Sequence, residues 1–177
     1  MADPPPRDFE LAALYRALDE RRIAAGLSWQ ALTREINDRA VEGGSAQPRA
    51  IAASTVRGLR DKRVAEGDGV LQMLLWLGRT PESFVPGHPL ADAPEAALPD
   101  LGPHLVLRWD VRALHLAVEQ QRTGRGMTWP QVAREVGCWP VELTGLARAR
   151  RVGFPGVMRI LRWLGRPAAQ FTRASEW

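Results

Sequence analysis

The sequence predicts an all-α fold, from three observations. Apolar residues recur at helical spacing within segments that open on capping residues and close on glycine. No stretch of useful length alternates with period two, so no strand is expected. A block of text occurs twice in unchanged order, which marks a repeated helical unit.

The chain has 177 residues and is 45% hydrophobic, enough for one domain or two small ones. No apolar run approaches the roughly 20 residues of a membrane span. The start, Met1-Ala2-Asp3-Pro4-Pro5-Pro6, has neither the basic nor the apolar part of a signal peptide. A single cysteine, Cys138, makes no internal disulfide. Together these point to the cytoplasm and to no membrane. Of the 24 basic residues 23 are arginine. Arginine forks match phosphates and guanine edges better than lysine does. Arginine-biased codon usage accounts for the same count, and the surplus of Ala, Gly and Pro agrees with it. Residues 1–99 carry net −2, and residues 100–177 carry net +6.

Taken in order, residues 1–7 are a Pro-rich lead. Asp8 can cap a helix over 9–25, with Leu11, Leu14, Leu18 and Ile23 as its apolar stripe. Gly26 ends it, and Ser28 caps a second helix through Trp29, Leu32 and Ile36. Residues 51–63 form a short helix with Val56 and Leu59 on one face and Arg57, Arg60, Lys62 and Arg63 as cations, its start capped by Ser54 or Thr55. Asp68 caps a last apolar helix, Val70 to Leu77.

The second copy follows at an offset of 100 and then 87. Gly26-Leu27-Ser28-Trp29 returns as Gly126-Met127-Thr128-Trp129, and Trp76-Leu77-Gly78-Arg79 as Trp163-Leu164-Gly165-Arg166. The change of offset gives copy one 13 extra residues between Ile36 and Gly58. The expected domains are 1–85, a Pro-rich linker 86–104, and 105–177. Five prolines between Val85 and His104 exclude a helix there. The linker is then either a disordered tether or an extended strap, with Leu90, Leu98 and Leu101 available to pack.

The order of parts resembles the lambda-repressor-like (Cro/XRE-type) helix-turn-helix family. Gly26 to Leu32 resembles the start of that family's second helix, Ile51 to Leu59 its recognition helix, and Leu74 to Gly78 its closing helix. The resemblance covers roughly residues 9–85 and 109–171. It implies two tandem helix-turn-helix bundles that bind double-stranded DNA in transcriptional control. Carried over by position, Ala53, Ser54, Arg57 and Gly58 would face base edges. Gln30, Arg60, Lys62 and Arg63 would meet phosphates. In copy two the reading face would be Pro140, Val141, Thr144 and Gly145. Gln131, in a capping box with Thr128, starts the second helix, and Arg148, Arg150 and Arg151 supply charge.

Two features depart from the family. Copy one has a long turn, residues 37–50, with Gly43-Gly44-Ser45 at its middle. Copy two keeps a short turn but offers Cys138, Trp139, Pro140 and Val141, which suit a protein partner as well as DNA. The alternative function is therefore an interaction adaptor, antitoxin-like or co-regulatory, on the same fold. The chain would act as a monomer with an internal pseudo-twofold or as a homodimer.

No cofactor or metal is expected, and no enzyme activity. His88, His104 and His115 show no ligand spacing, and Cys138 has no histidine near it in sequence. Glu66 to Gly69 resembles part of a calcium loop but lacks the other ligands. Trp29, Trp76, Trp129 and Trp163 recur at matching places, which assigns them to the core and not to base stacking.

Overall fold

The repeated text folds as a repeated structure. The structure, a computed structural model, describes residues 7–38, 50–102 and 105–176. The Pro-rich lead 1–6 and the glycine-rich middle of the copy-one turn, 39–49, lie outside the described residues. Copy one contains α1 (Leu11–Ala24), α2 (Trp29–Asp38), α3 (Ala53–Gly58), β1 (Ala65–Glu66), α4 (Gly67–Leu77) and a 3-10 turn at Pro81–Phe84. Copy two contains β2 (Leu105–Trp109), α5 (Val111–Gly124), α6 (Trp129–Val136), α7 (Pro140–Gly145), β3 (Gly153–Phe154) and α8 (Gly156–Leu164). It ends in a 3-10 turn, Ala168–Phe171, and β4, Thr172–Glu176.

Equivalent residues make equivalent bonds. The Glu10 N–H donates to Phe84 O at 3.0 Å, and the Asp110 N–H to Phe171 O at 2.7 Å. Arg22 Nη1 donates to Leu27 O and Arg122 Nη1 to Met127 O, each at 2.8 Å, closing the first interhelical turn of either copy. The same two guanidiniums lie over Trp29 and Trp129. The recurring tryptophans thus pack against or within the helical core, as their repetition suggested.

The all-α expectation is wrong. Among the described residues eight helices are joined by two antiparallel two-stranded sheets, so the fold is mixed α and β. In the larger sheet β2 pairs with β4 from Leu105↔Glu176 to Trp109↔Thr172. Val106, Leu107 and Trp109 are buried, with α4 packed against β2. A strand this enclosed reads as an apolar run without alternation, and its partner Thr172–Glu176 has no apolar face at all. β4 forms because β2 offers it a row of backbone partners.

The smaller sheet joins the copies. β1 pairs with β3 as Ala65↔Phe154 and Glu66↔Gly153. Around it the Phe9 and Phe154 rings lie 4.5 Å apart, Trp109 packs on Phe154, and one core cluster runs through both copies. Asp8 does not cap α1. It accepts two hydrogen bonds from Arg159 of copy two, at 2.9 and 2.8 Å. Asp68 does not cap α4 either, because it accepts the Trp109 N–H at 3.0 Å; Glu66 caps that helix through Gly69 N–H. Ser28 holds its expected place, accepting the Ala31 N–H at 3.1 Å.

The linker, as far as it is described, lies along the core. It forms a 3-10 turn at Pro94–Ala96, Ala96 is buried, and Leu98 and Leu101 pack on the main cluster. No described helix is long and apolar enough to cross a membrane.

Candidate nucleic-acid interface

In copy two a three-residue turn separates α6 from α7. Gly137 makes the turn with φ of 79°, a conformation that favours glycine, and its N–H and that of Cys138 both donate to Ala133 O. Val132, Ala133 and Val136 bury one face of α6, and Leu143 buries α7. Thr128 and Gln131 form the expected capping box, with the Gln131 carboxamide oxygen accepting the Thr128 N–H at 2.7 Å. Gln131 is exposed, but that oxygen is committed to the helix.

Copy one reaches a similar arrangement despite its insertion. The Asn37 side chain, at the end of α2, donates to Ile51 O at 3.0 Å and accepts from Ile51 N–H at 2.9 Å. This paired clasp brings the two ends of the insertion together just before α3. Each α2-type helix is then tied to its closing helix by the same indole–carboxylate bond. Trp76 Nε1 donates to Glu35 at 3.0 Å, and Trp163 Nε1 donates to Glu135 at 2.8 Å.

The carried-over contact residues fall on the surface. Gln30, Ser54, Arg57, Arg60, Lys62 and Arg63 are exposed in copy one, with Ala53 and Gly58 half-buried. Ser54 and Thr55 lie inside α3, whose N-cap is Ala52, so neither caps the helix. Val141, Thr144, Arg148, Arg150 and Arg151 are exposed in copy two. Thr144 Oγ1 donates back to Pro140 O at 3.2 Å, which leaves its lone pairs outward as acceptors. Asp61 pairs with Arg60 at 3.2 Å and not with Arg57. Arg151 lies 4.0 Å from Glu66.

Trp139 is 76% exposed and Val141 72% exposed, two positions apart in sequence at the start of α7. The Glu142 carboxylate accepts the Trp139 N–H at 2.7 Å and fixes the helix start. Burial pushes the Cys138 thiol up to about 11, so it stays protonated near neutrality and is a poor nucleophile. Among the described residues no group of three His, Cys, Asp or Glu could hold a metal ion.

Sequence reasoning missed a set of cations beside this surface. Arg108 of β2, Arg112 of α5 and Arg173 of β4 line a cleft with Arg150 and Arg151. The signal was hidden because Arg108 and Arg173 lie on strands that the sequence did not disclose. Their opposition at Arg108↔Arg173 follows from the β2–β4 register. No protein-family model, curated protein or solved structure matches this chain.

Proposed function

We propose that this protein binds double-stranded DNA through two helix-turn-helix units and acts as a transcriptional regulator without enzymatic activity. The observation that carries the reading is the register of β1 on β3. Glu66 pairs with Gly153, and the two are equivalent positions at the 87-residue offset. In an antiparallel pairing a residue meets its own counterpart only where an approximate twofold axis passes between them. That is the symmetry with which paired helix-turn-helix units address two half-sites on one duplex. Exposed Arg57, Arg60, Lys62 and Arg63 precede β1, and exposed Arg148, Arg150 and Arg151 precede β3. Both cationic segments therefore lead into the axis.

A gel-shift titration on random-sequence duplexes at several salt concentrations tests this reading. Binding should weaken linearly in log–log form with salt, by about 0.9 per phosphate contacted. Absence of binding at low salt would remove DNA as the partner.

A second reading is supported by Trp139 and Val141. Two large apolar side chains this exposed, on the face where base contacts are expected, suit a protein partner. In that reading copy one holds DNA and copy two recruits a protein.

A further inference from the structure

We propose that the cleft between β2, α5, β4 and the segment before β3 is a phosphate-binding site. Its volume is about 530 Å³, and its walls carry Arg108, Arg112, Arg150, Arg151 and Arg173. These side chains come from four separate segments, so their convergence is a product of the tertiary fold and not of one basic run. Two carboxylates share the lining, and both are engaged. Asp110 accepts the Ala113 N–H at 2.9 Å as the cap of α5. Asp68 accepts the Trp109 N–H and lies 3.6 Å from Arg108. Three of the arginines, Arg112, Arg150 and Arg173, are exposed and have no carboxylate within salt-bridge distance among the described residues.

Arg108 adds a second observation: it lines the cleft, and its buried Nε has no hydrogen-bond partner. Like-charged guanidiniums converge at a cost that a bound dianion offsets, and their planar forks suit phosphate oxygens bidentately. The chemistry fits a phosphate, either of a small phosphorylated molecule or of a DNA backbone running past Arg150 and Arg151. The cationic lining is not repeated in copy one, where the equivalents of Arg108 and Arg112 are Asp8 and Ala12.

The site does not depend on DNA binding, and its test uses the full chain with inorganic pyrophosphate as the probe. Calorimetric titration at low salt should give one site per chain. Arg112→Gln with Arg173→Gln should weaken it about tenfold or more, given the usual strength of charge-assisted hydrogen bonds. Arg34→Gln with Arg134→Gln removes the same charge from exposed positions outside the cleft and should leave binding unchanged. Circular dichroism checks that each variant is folded. No pyrophosphate binding by the natural chain, or equal losses in the two double variants, would overturn the proposal. A parallel DNA titration identifies the source of the phosphate. A salt slope reduced by about 1.8 in the Arg112/Arg173 variant assigns the site to the backbone. An unchanged slope assigns it to a small phosphorylated ligand.

Discussion

The indole of Trp109 lies directly on Gly67, so that a Cβ at residue 67 would come within 2.7 Å of Trp109 Cδ1. The same Cβ would meet Val152 O at 2.5 Å. Residue 67 in copy one is equivalent to Phe154 in copy two, and Trp109 is equivalent to Phe9. One side of the approximate axis therefore packs Phe9 on Phe154, and the other packs Trp109 on Gly67. The two halves share a backbone plan while their side chains exchange large for small.

Gly67→Ala should for that reason destabilise the protein by about 1–3 kcal/mol, because backbone and indole must both move. Gly145→Ala is the comparison, since a Cβ there meets nothing within 4 Å. Urea unfolding should show a loss for the first and none for the second.

Glu82 gives a prediction about pH. It is fully buried in copy one, and its Oε1 accepts the Ala168 N–H of copy two at 2.6 Å while Oε2 has no partner. Burial raises its pKa above the ordinary 4.5, with the Ala168 N–H opposing the rise. The folded state then binds a proton that the unfolded state releases. Glu82's contribution to stability is full below about 4.5 and is lost as pH rises through the elevated folded value. Glu82→Gln keeps the acceptor oxygen and removes the charge. Its stability relative to the natural chain should improve as pH rises from 4.5, measured by urea unfolding between pH 4 and 8. A gap constant with pH would show that Glu82 does not titrate in that range.

Asn37→Ala removes both bonds to Ile51 and leaves that peptide without its partner. A loss of about 1–3 kcal/mol is expected from leaving such groups unsatisfied. DNA affinity should fall further than stability alone accounts for, because the clasp sets α3 against α2. Equal DNA affinity in a folded Asn37→Ala protein would remove copy one's α3 from the interface.

Arg57 is exposed on α3, and Asp61 is occupied by Arg60. Its guanidinium is therefore available to a guanine edge, a contact worth roughly 1–3 kcal/mol of discrimination. Arg57→Ala should lower affinity for the preferred site about tenfold while random-sequence binding falls much less. Equal losses on both DNAs would make it a phosphate contact.

The repeated helices were legible because α1, α4, α5 and α8 each carry an apolar stripe and stop at or just before a glycine, Gly26, Gly78, Gly126 and Gly165. Ser28 and Thr128 were legible as caps because their partners lie three residues away. What was hidden depends on distant partners. Asp8 and Asp68 have the residue type and position of helix caps, yet Arg159 and the Trp109 backbone claim them. The strands were hidden for the same reason. Leu105–Trp109 is buried by α4, and Thr172–Glu176 has no pattern of its own. The cationic cleft was invisible because Arg108, Arg112, Arg150 and Arg173 are scattered in sequence and meet only once β2 and β4 pair. Ala53, Ser54 and Arg57 could be assigned by resemblance, but the Asn37 clasp that brings their helix back beside α2 could not.

In the proposed function, both helix-turn-helix units address one duplex about the approximate axis between Glu66 and Gly153. Hydroxyl-radical footprinting on a duplex selected from a random pool tests it directly. Two protected patches are expected on one face of the DNA, centred roughly 34–36 Å apart, one helical turn, or a multiple of that spacing. Replacing Arg148, Arg150 and Arg151 with Ala should erase one patch and leave the other. A single patch in the natural chain, or patches on opposite faces of the duplex, would contradict it.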